Sequence, residues 1–400
     1  MSKFLVLGAG IAGCTSAAEL AKKGHEVDLL EQSPAPGGSV LSYCCKATES
    51  CVRCGVCVAH AAIQETLAHP KIRLQTGITV KTGTNNGKKV TLQTERRNPF
   101  IDLKLCVSCN LCAELCPEKC IYSYSRGGLT FYAVEYSACR LHKGRTCTVC
   151  ADACPTKAIT ADGAHTKETF TADAALVATG HKPFAAEKKP RYGYRRLSSV
   201  FTGLEAEEIL KTRFYLTKPD ERVAFIQCVG SRDPEIGRNY CSAVCCAYAL
   251  RMANQLAYRN KGADITVYYI DLQNFDKAFP ALIADITKQG VKLERGLPFK
   301  IDLSPDNTLE LLLPGAGDGP SRAEYDAVVL SVGLGPHEEI RDLAVSLGLA
   351  EDEFGFIAGP GGNILTAGTC REPQSITDTM AQAKAAVLDI LRKNGRSDNG

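Results

Sequence analysis

No apolar run in these 400 residues approaches the roughly 18 needed to cross a bilayer, so no transmembrane segment is expected. The N-terminal FLVLGAGIAG lacks the shape of a signal peptide, which argues against that export route. The expected location is cytoplasmic, with peripheral docking to a membrane complex still open. An excess of either charge is also missing: 47 Lys and Arg face 44 Asp and Glu, a net of +3. That balance argues against a nucleic-acid binder and against a disordered chain. The seven histidines show no ligand spacing, which argues against a histidine-based metal site. No internal repeat or low-complexity tract is present before the polar tail RKNGRSDNG. No nucleophile or acid–base dyad stands out, so no catalytic residue is assigned.

Cysteine is what the chain has in excess, with 20 residues. Disulfide-rich secreted proteins reach such counts, but they are short and carry a signal sequence. These thiols instead fall in tight C-x2-C clusters, which points to metal or iron–sulfur ligation.

The first segment reads strand, turn, helix, strand, with Gly8-x-Gly10-x-x-Gly13 in the turn, Ile11 and Ala12 inside it, and Glu31-Gln32 closing the second strand. Glycines at this spacing let a pyrophosphate approach the helix N-terminus, and the acid suits a ribose hydroxyl. Gly37 and Gly38 follow and leave room for backbone against a ligand. Ala178-Thr179-Gly180 ends a later strand, EYDAVVLSVGLGP repeats that pattern, and a Gly368-Thr369 turn precedes a closing helix at Ile376.

The expected fold is α/β, with two Rossmann-like dinucleotide-binding domains and an inserted two-cluster ferredoxin domain. Residues 1–97, 161–215 and 331–400 are read as three parts of an FAD-binding domain, 98–160 as the insert, and 216–330 as an NAD(P)-like domain.

Within the insert, Cys106, Cys109, Cys112 and Cys116-Pro117 match C-x2-C-x2-C-x3-C-P, and Cys147, Cys150 and Cys154-Pro155 repeat its last three positions. Cys139 stands in for the missing first position. In such a run the fourth cysteine of each half ligates the other half's 4Fe-4S cluster. The expected sets are Cys106, Cys109, Cys112, Cys154 and Cys116, Cys139, Cys147, Cys150. Zinc is the rival, but it prefers separated C-x2-C knuckles and has no use for the trailing C-P.

Cys51-x2-Cys54-x2-Cys57 is preceded by Cys44-Cys45, either of which would complete a further cubane. The bland alternative is a small redox-inert thiol cluster. The stretch FIQCVGSRDPEIGRNYCSAVCCAYA places Cys228, Cys241, Cys245 and Cys246 where a second domain would carry its own glycine-rich turn. A chelate there would form at a helix's first turn, beside unpaired N–H groups. Buried thiols or a zinc staple are the alternatives. Cys14, Cys120 and Cys370 are read as ordinary small apolar residues.

The C-x12-C-x3-CC motif, YGYRRLSSVFTGLEAEEIL and AGTCREPQSITDTMAQA resemble the heterodisulfide reductase A-subunit family, and the likeness runs from Met1 to the closing helix. The resemblance implies a thioredoxin-reductase-type flavoprotein that binds FAD. It also implies three or four 4Fe-4S clusters, one of them on Cys228, Cys241, Cys245 and Cys246. It further supports a cluster at Cys51 and Cys54, where the family carries a D-C-x-x-C pair. The partners it implies are other subunits of such a complex, or ferredoxin-type carriers, in a hetero-oligomer.

Three departures stand out. Extra terminal iron–sulfur segments of longer members are not in this sequence, so its electron route is expected to rely on other subunits. Nothing resembles the disulfide-cleaving site, which the family carries on another chain. Arg251 stands where bifurcating members place a lysine near the flavin.

A competing reading is a stand-alone NAD(P)H-dependent FAD and iron–sulfur reductase like the small subunit of glutamate synthase. It would need a second glycine-rich turn, and only Gly230 and Gly237 are available. The basic run KKPRYGYRR is read as a solvated or docking face, and a zinc-knuckle scaffold is the non-enzymatic alternative.

Overall fold

A computed structural model describes residues 2–126, 129–274, 277–315, 319–359 and 362–396. The strand Lys3–Leu7 is buried on both faces beyond its first residue, as its unbroken apolar run requires in a parallel sheet. It lies at the centre of five parallel strands in the order Ile364–Thr366, Ala174–Val177, Lys3–Leu7, Glu26–Leu30, Ile72–Gln75. Helices Ile11–Lys22, Val56–Ala68 and Ile376–Arg396 cover one face, burying Val6, Leu20, Leu29, Ile63 and Ile390. An antiparallel meander of Ile78–Asn85, Val90–Arg97 and His165–Ala172 covers the other, packing Leu92 and Phe170 against Leu5 and Leu7.

The second domain repeats this plan. Five parallel strands run in the order Val200–Thr202, Ala327–Val332, Arg222–Val229, Asp264–Tyr269, Lys292–Arg295, with a meander of Lys300–Leu303, Leu309–Leu313 and Ser321–Tyr325. Val200 pairs with Val328, so the chain enters this domain before residue 200, earlier than the expected boundary at 216. The reason is local. Thr202 caps helix Gly203–Leu210 with a full capping box to Glu205, which fixes a strand–helix unit onto the second sheet. Two short crossover strands, Lys182–Pro183 and Leu334–Gly335, pair antiparallel where the chain passes between domains.

The cysteine-rich insert hangs from the end of the first meander. Arg97 pairs with His165, so the excursion between them occupies 98–164, slightly longer than the expected 98–160. Phe100–Ile101 pairs with Ile159–Thr160 at its base, and a hairpin of Ile121–Arg126 and Leu129–Val134 backs two short helices, Leu111–Leu115 and Val149–Asp152. Six of its cysteines are themselves buried in its core: Cys112, Cys116, Cys120, Cys139, Cys150 and Cys154.

Candidate functional site: a dinucleotide cavity bordered by thiols

The first βα turn builds a cradle. Gly8 has φ +95°, and a Cβ there would lie 2.4 Å from the Ala178 carbonyl oxygen. A Cβ on Gly13 would lie 1.8 Å from the Gly8 oxygen, so this glycine lets the helix approach the strand. A Cβ on Gly10 would meet nothing within 4 Å, and that open space faces a cavity of about 860 Å³. No side chain caps the helix that starts at Ile11, so its first N–H groups are left for a ligand.

Of the residues expected at the cofactor, Gly8, Gly10, Ile11, Ala12, Glu31, Gly37, Gly38, Ala178, Thr179, Gly180, Arg251, Thr369 and Ile376 line this cavity. Gly13, Gln32 and Gly368 do not. Gly13 is spent on helix–strand packing, Gln32 is exposed, and Gly368 packs against Ala12, where a Cβ would fall 2.6 Å from the alanine methyl. Glu31 is fixed by the Ala9 N–H at 2.7 Å and the Ser33 N–H at 2.8 Å. A carboxylate has lone pairs beyond those two bonds, so Glu31 can still accept ribose hydroxyls. Thr179 Oγ1, Arg251 Nε and His337 Nδ1 are buried without a partner, and all three residues line the cavity. Orphaned polar atoms around an open, glycine-lined cradle fit a dinucleotide.

Several lining residues had no signal in the sequence. His181 donates to or accepts from Thr369 Oγ1 at 2.9 Å, and burial, with His337 beside it, holds its pKa down to about 4. Lys46 and Glu207 form a buried ion pair between the loop after Gly38 and the second domain's helix Gly203–Leu210. Glu207 also accepts the Cys44 N–H at 2.7 Å, and Gln255 donates to the Cys45 carbonyl at 2.8 Å, so this loop is fastened across the domain boundary. Such pairs join residues more than 150 positions apart in sequence, and no local pattern marks them.

The second domain's turn has a different build. After Arg222–Val229 the chain makes a long excursion before helix Cys245–Arg259 begins. Cys228 and Ala243 both have positive φ, at 58°. Gly230, at φ +79°, is pressed on Phe184, where a Cβ would fall 2.0 Å from the ring. Ser242 Oγ accepts the Leu334 N–H at 2.9 Å, and the Tyr240 hydroxyl donates to the Leu334 carbonyl at 3.1 Å. The excursion therefore folds over the carboxyl edge of the sheet, the place a nicotinamide dinucleotide takes in open α/β folds.

Cys228, Cys241, Cys245 and Cys246 are brought close enough for their charges to interact. Burial, then the neighbouring thiols, pushes Cys228 up to about 11 and Cys245 still further. Raised in this way, the free groups stay protonated, and deprotonating all four together would call for a cation among them. The Ala243 N–H points at Cys241 Sγ from 3.3 Å, the kind of backbone donor that stabilises a cluster's sulfur. Cys241 lines the dinucleotide cavity itself.

In the insert, Cys116, Cys139, Cys147 and Cys150 surround one small cavity, together with Cys120, whose Sγ lies 3.5 Å from Cys116 Sγ. The reading of Cys120 as an ordinary apolar residue misses this, because its spacing belongs to no motif. Cys106, Cys109 and Cys112 form a second interacting group under Tyr132. Burial raises the Cys154 thiol, but Thr156 and the backbone N–H groups of Thr156, Ala158 and Ile159 outweigh it and hold the pKa below the ordinary value. Ser108, Asn110, Lys119 and Lys157 have positive φ, which turns the backbone around these thiols.

The loop thiols are less gathered. Cys54 lines the dinucleotide cavity and Cys44 is half-buried, whereas Cys45, Cys51 and Cys57 are exposed. Cys14 and Cys370 are buried in the core, and their sulfurs donate to carbonyls of Ala9 and Ala367. Among the described residues no three His, Cys, Asp or Glu side chains are already closed around a metal-sized point. The donor chemistry of all-thiol sets with N–H donors to sulfur nonetheless fits iron–sulfur ligation.

The basic run is a solvated face, with Lys188, Arg191, Arg195 and Arg196 exposed and Lys189 alone among its cations buried. Lys189 pairs with Asp233 in a buried contact, Arg191 with Glu235 at 3.4 Å, Arg195 with Glu187 at 2.6 Å, and Arg196 with Asp302 at 3.8 Å. Among the described residues no helix is long and apolar enough to cross a membrane.

A paired set of Rossmann-like domains, each a five-stranded parallel sheet with a three-stranded meander, places the chain in the thioredoxin-reductase-type fold class. Residues 6–67 match the family described as NAD(P)-binding Rossmann-like domain. Thioredoxin reductase from T. acidophilum superposes with a TM-score of 0.55 at 13% identity, covering 100% of both chains. Lactococcus lactis thioredoxin reductase gives 0.54 over 99% of this chain and 100% of that one, again at 13% identity.

In sequence the chain is a relative of the A-type subunits of heterodisulfide reductases. It is 30% identical to the A-type subunit of the H(2):CoB-CoM heterodisulfide,ferredoxin reductase of Methanothermobacter marburgensis, over 96% of this chain and 62% of that protein. It is 31% identical to an A-type iron-sulfur subunit of the CoB–CoM heterodisulfide reductase of Methanopyrus kandleri, over 96% of this chain and 63% of that protein. The chain thus spans about three fifths of the length of these curated relatives.

Proposed function

We propose that the chain is an FAD- and iron–sulfur-containing electron-transfer oxidoreductase, acting within a heterodisulfide reductase-like complex or with ferredoxin-type carriers. The observation that carries this reading is the wall of one cavity. Gly10 and its open cradle share that wall with Cys54 and with Cys241, a thiol from each of two separate cysteine groups.

Bound FAD would supply a centre that exchanges electrons in pairs or singly, beside 4Fe-4S centres that carry one each. Gly8, Gly10 and the uncapped helix start would hold the pyrophosphate, Glu31 the ribose, and Arg251, with its free Nε, the isoalloxazine end. Cys228, Cys241, Cys245 and Cys246 would hold one cubane, and the insert's thiols two more. The loop thiols Cys44, Cys45, Cys51, Cys54 and Cys57 would supply the fourth. The buried Lys46–Glu207 pair keeps that loop against the second domain. Substrate chemistry is assigned to partner chains.

The test is composition under oxygen protection. Three or four cubanes predict about twelve to sixteen iron and as many sulfide per chain, with one FAD. Stoichiometric zinc without iron overturns the reading. A flavin reduced rapidly by NADH in the isolated chain favours the stand-alone reductase instead.

A further inference from the structure

The four second-domain thiols carry a polar shell of their own. Arg232 sits in the excursion between Cys228 and Cys241, with φ at 53°. Its backbone N–H donates to the Tyr240 carbonyl at 2.9 Å, which fixes the residue next to the second of those cysteines. The side chain turns to Asp271, at the end of the neighbouring strand. Its guanidinium meets the carboxylate through two parallel contacts, Nη2 to Oδ2 at 3.1 Å and Nη1 to Oδ1. Asp271 Oδ1 also accepts Gln273 Nε2 at 3.0 Å. Burial raises the Cys246 thiol, and the Gln273 backbone N–H acts against that rise. Arg232, Asp271 and Gln273 therefore form one connected arc around the thiols. Its cation acts on Cys228, Cys241 and Cys246, and its anion acts on Cys228 and Cys246.

One-electron reduction of a thiolate-bound cluster adds one negative charge. A fixed guanidinium nearby stabilises that added charge, and a carboxylate opposes it. Arg is suited to the task because it stays protonated whatever the cluster's charge, and its planar fork is held in place by both Asp271 oxygens. Arg232 is only partly exposed, so water screens it incompletely.

We propose that Arg232, oriented by Asp271, sets the reduction potential of the centre held by Cys228, Cys241, Cys245 and Cys246, raising it, while Asp271 limits the rise. This rests on the iron–sulfur reading of those four cysteines. Arg232 and Asp271 are positioning and tuning residues, not ligands.

The experiment is an EPR-monitored redox titration of the anoxically purified, cluster-loaded chain, as wild type, Arg232→Gln, Arg232→Lys and Asp271→Asn, with Cys245→Ser to identify the signal. In Arg232→Gln the reduction equilibrium of the signal absent from Cys245→Ser shifts about tenfold toward the oxidised form, ~59 mV for one electron. Arg232→Lys retains most of the wild-type value, and Asp271→Asn shifts in the opposite direction. The insert's signals stay where they are in every variant. An unshifted signal in both Arg232→Gln and Asp271→Asn overturns the tuning role while leaving the cluster in place. A wild type with no signal that Cys245→Ser removes overturns the underlying reading as well. If Arg232→Gln fails to fold, the Arg232→Lys and Asp271→Asn pair decides by the same directions.

Discussion

In the first dinucleotide domain the chain leaves strand Lys3–Leu7 and, through Gly8, Ala9 and Gly10, enters helix Ile11–Lys22 at once. In the second it leaves Arg222–Val229 and crosses residues 230–244 before helix Cys245–Arg259. The sheets match strand for strand. The turns differ in what they expose. The first presents bare backbone and an open space at Gly10, whereas the second presents thiols and is packed shut by Phe184, Ser242 and Tyr240. One architecture thus carries two kinds of turn, because a parallel sheet delivers its turns to the same edge whatever they contain.

The largest expected effect comes from spoiling the first turn. Gly13→Val drives a side chain into the Gly8 carbonyl and should abolish flavin binding, read as loss of flavin absorbance in the purified protein. The second domain's EPR signal should survive it. Breaking the buried Lys46–Glu207 pair comes next. Lys46→Met strands a buried carboxylate and should cost ~3 kcal/mol, seen as a lower Tm of the holoprotein. An unchanged Tm would mean that the loop is not fastened to the second domain through this pair.

Gly230→Ala tests whether the second turn is rigidly packed. A Cβ pressed on Phe184, at a left-handed φ, should destabilise by about 2 kcal/mol without creating or removing NADH affinity. The smallest effect is on pH. His181 is held neutral in the folded chain down to about 4, below its ordinary value near 6.5. Between those values the unfolded chain binds the extra proton, so stability falls as pH drops through that window and levels off beneath it. Acid unfolding curves of His181→Gln should lack this component.

The first turn was legible because its glycines, strand and helix are contiguous, and thirteen of the expected lining residues meet one cavity. In the insert one expected set, Cys116, Cys139, Cys147 and Cys150, shares a cavity. Gly13 and Gly368 show the limit of that reading. A glycine can be required by packing as well as by a ligand, and only the positions of Ala12 and the Gly8 carbonyl distinguish the two. Cys120 belongs to no spacing rule, and a tight turn, closed by the Lys119 N–H on the Cys116 carbonyl at 3.1 Å, brings it beside Cys116. Lys46–Glu207, His181–Thr369 and Arg232–Asp271 join distant segments, so they were beyond any local pattern. The early crossover at Val200 was missed because a three-residue strand has too little sequence to mark its sheet.

The most direct test of the contrast between the turns is the iron, sulfide and flavin content of oxygen-protected wild type and Cys245→Ser/Cys246→Ser protein. The account predicts equal flavin and about four fewer iron and four fewer sulfide in the double variant. Equal iron in the two proteins would contradict it.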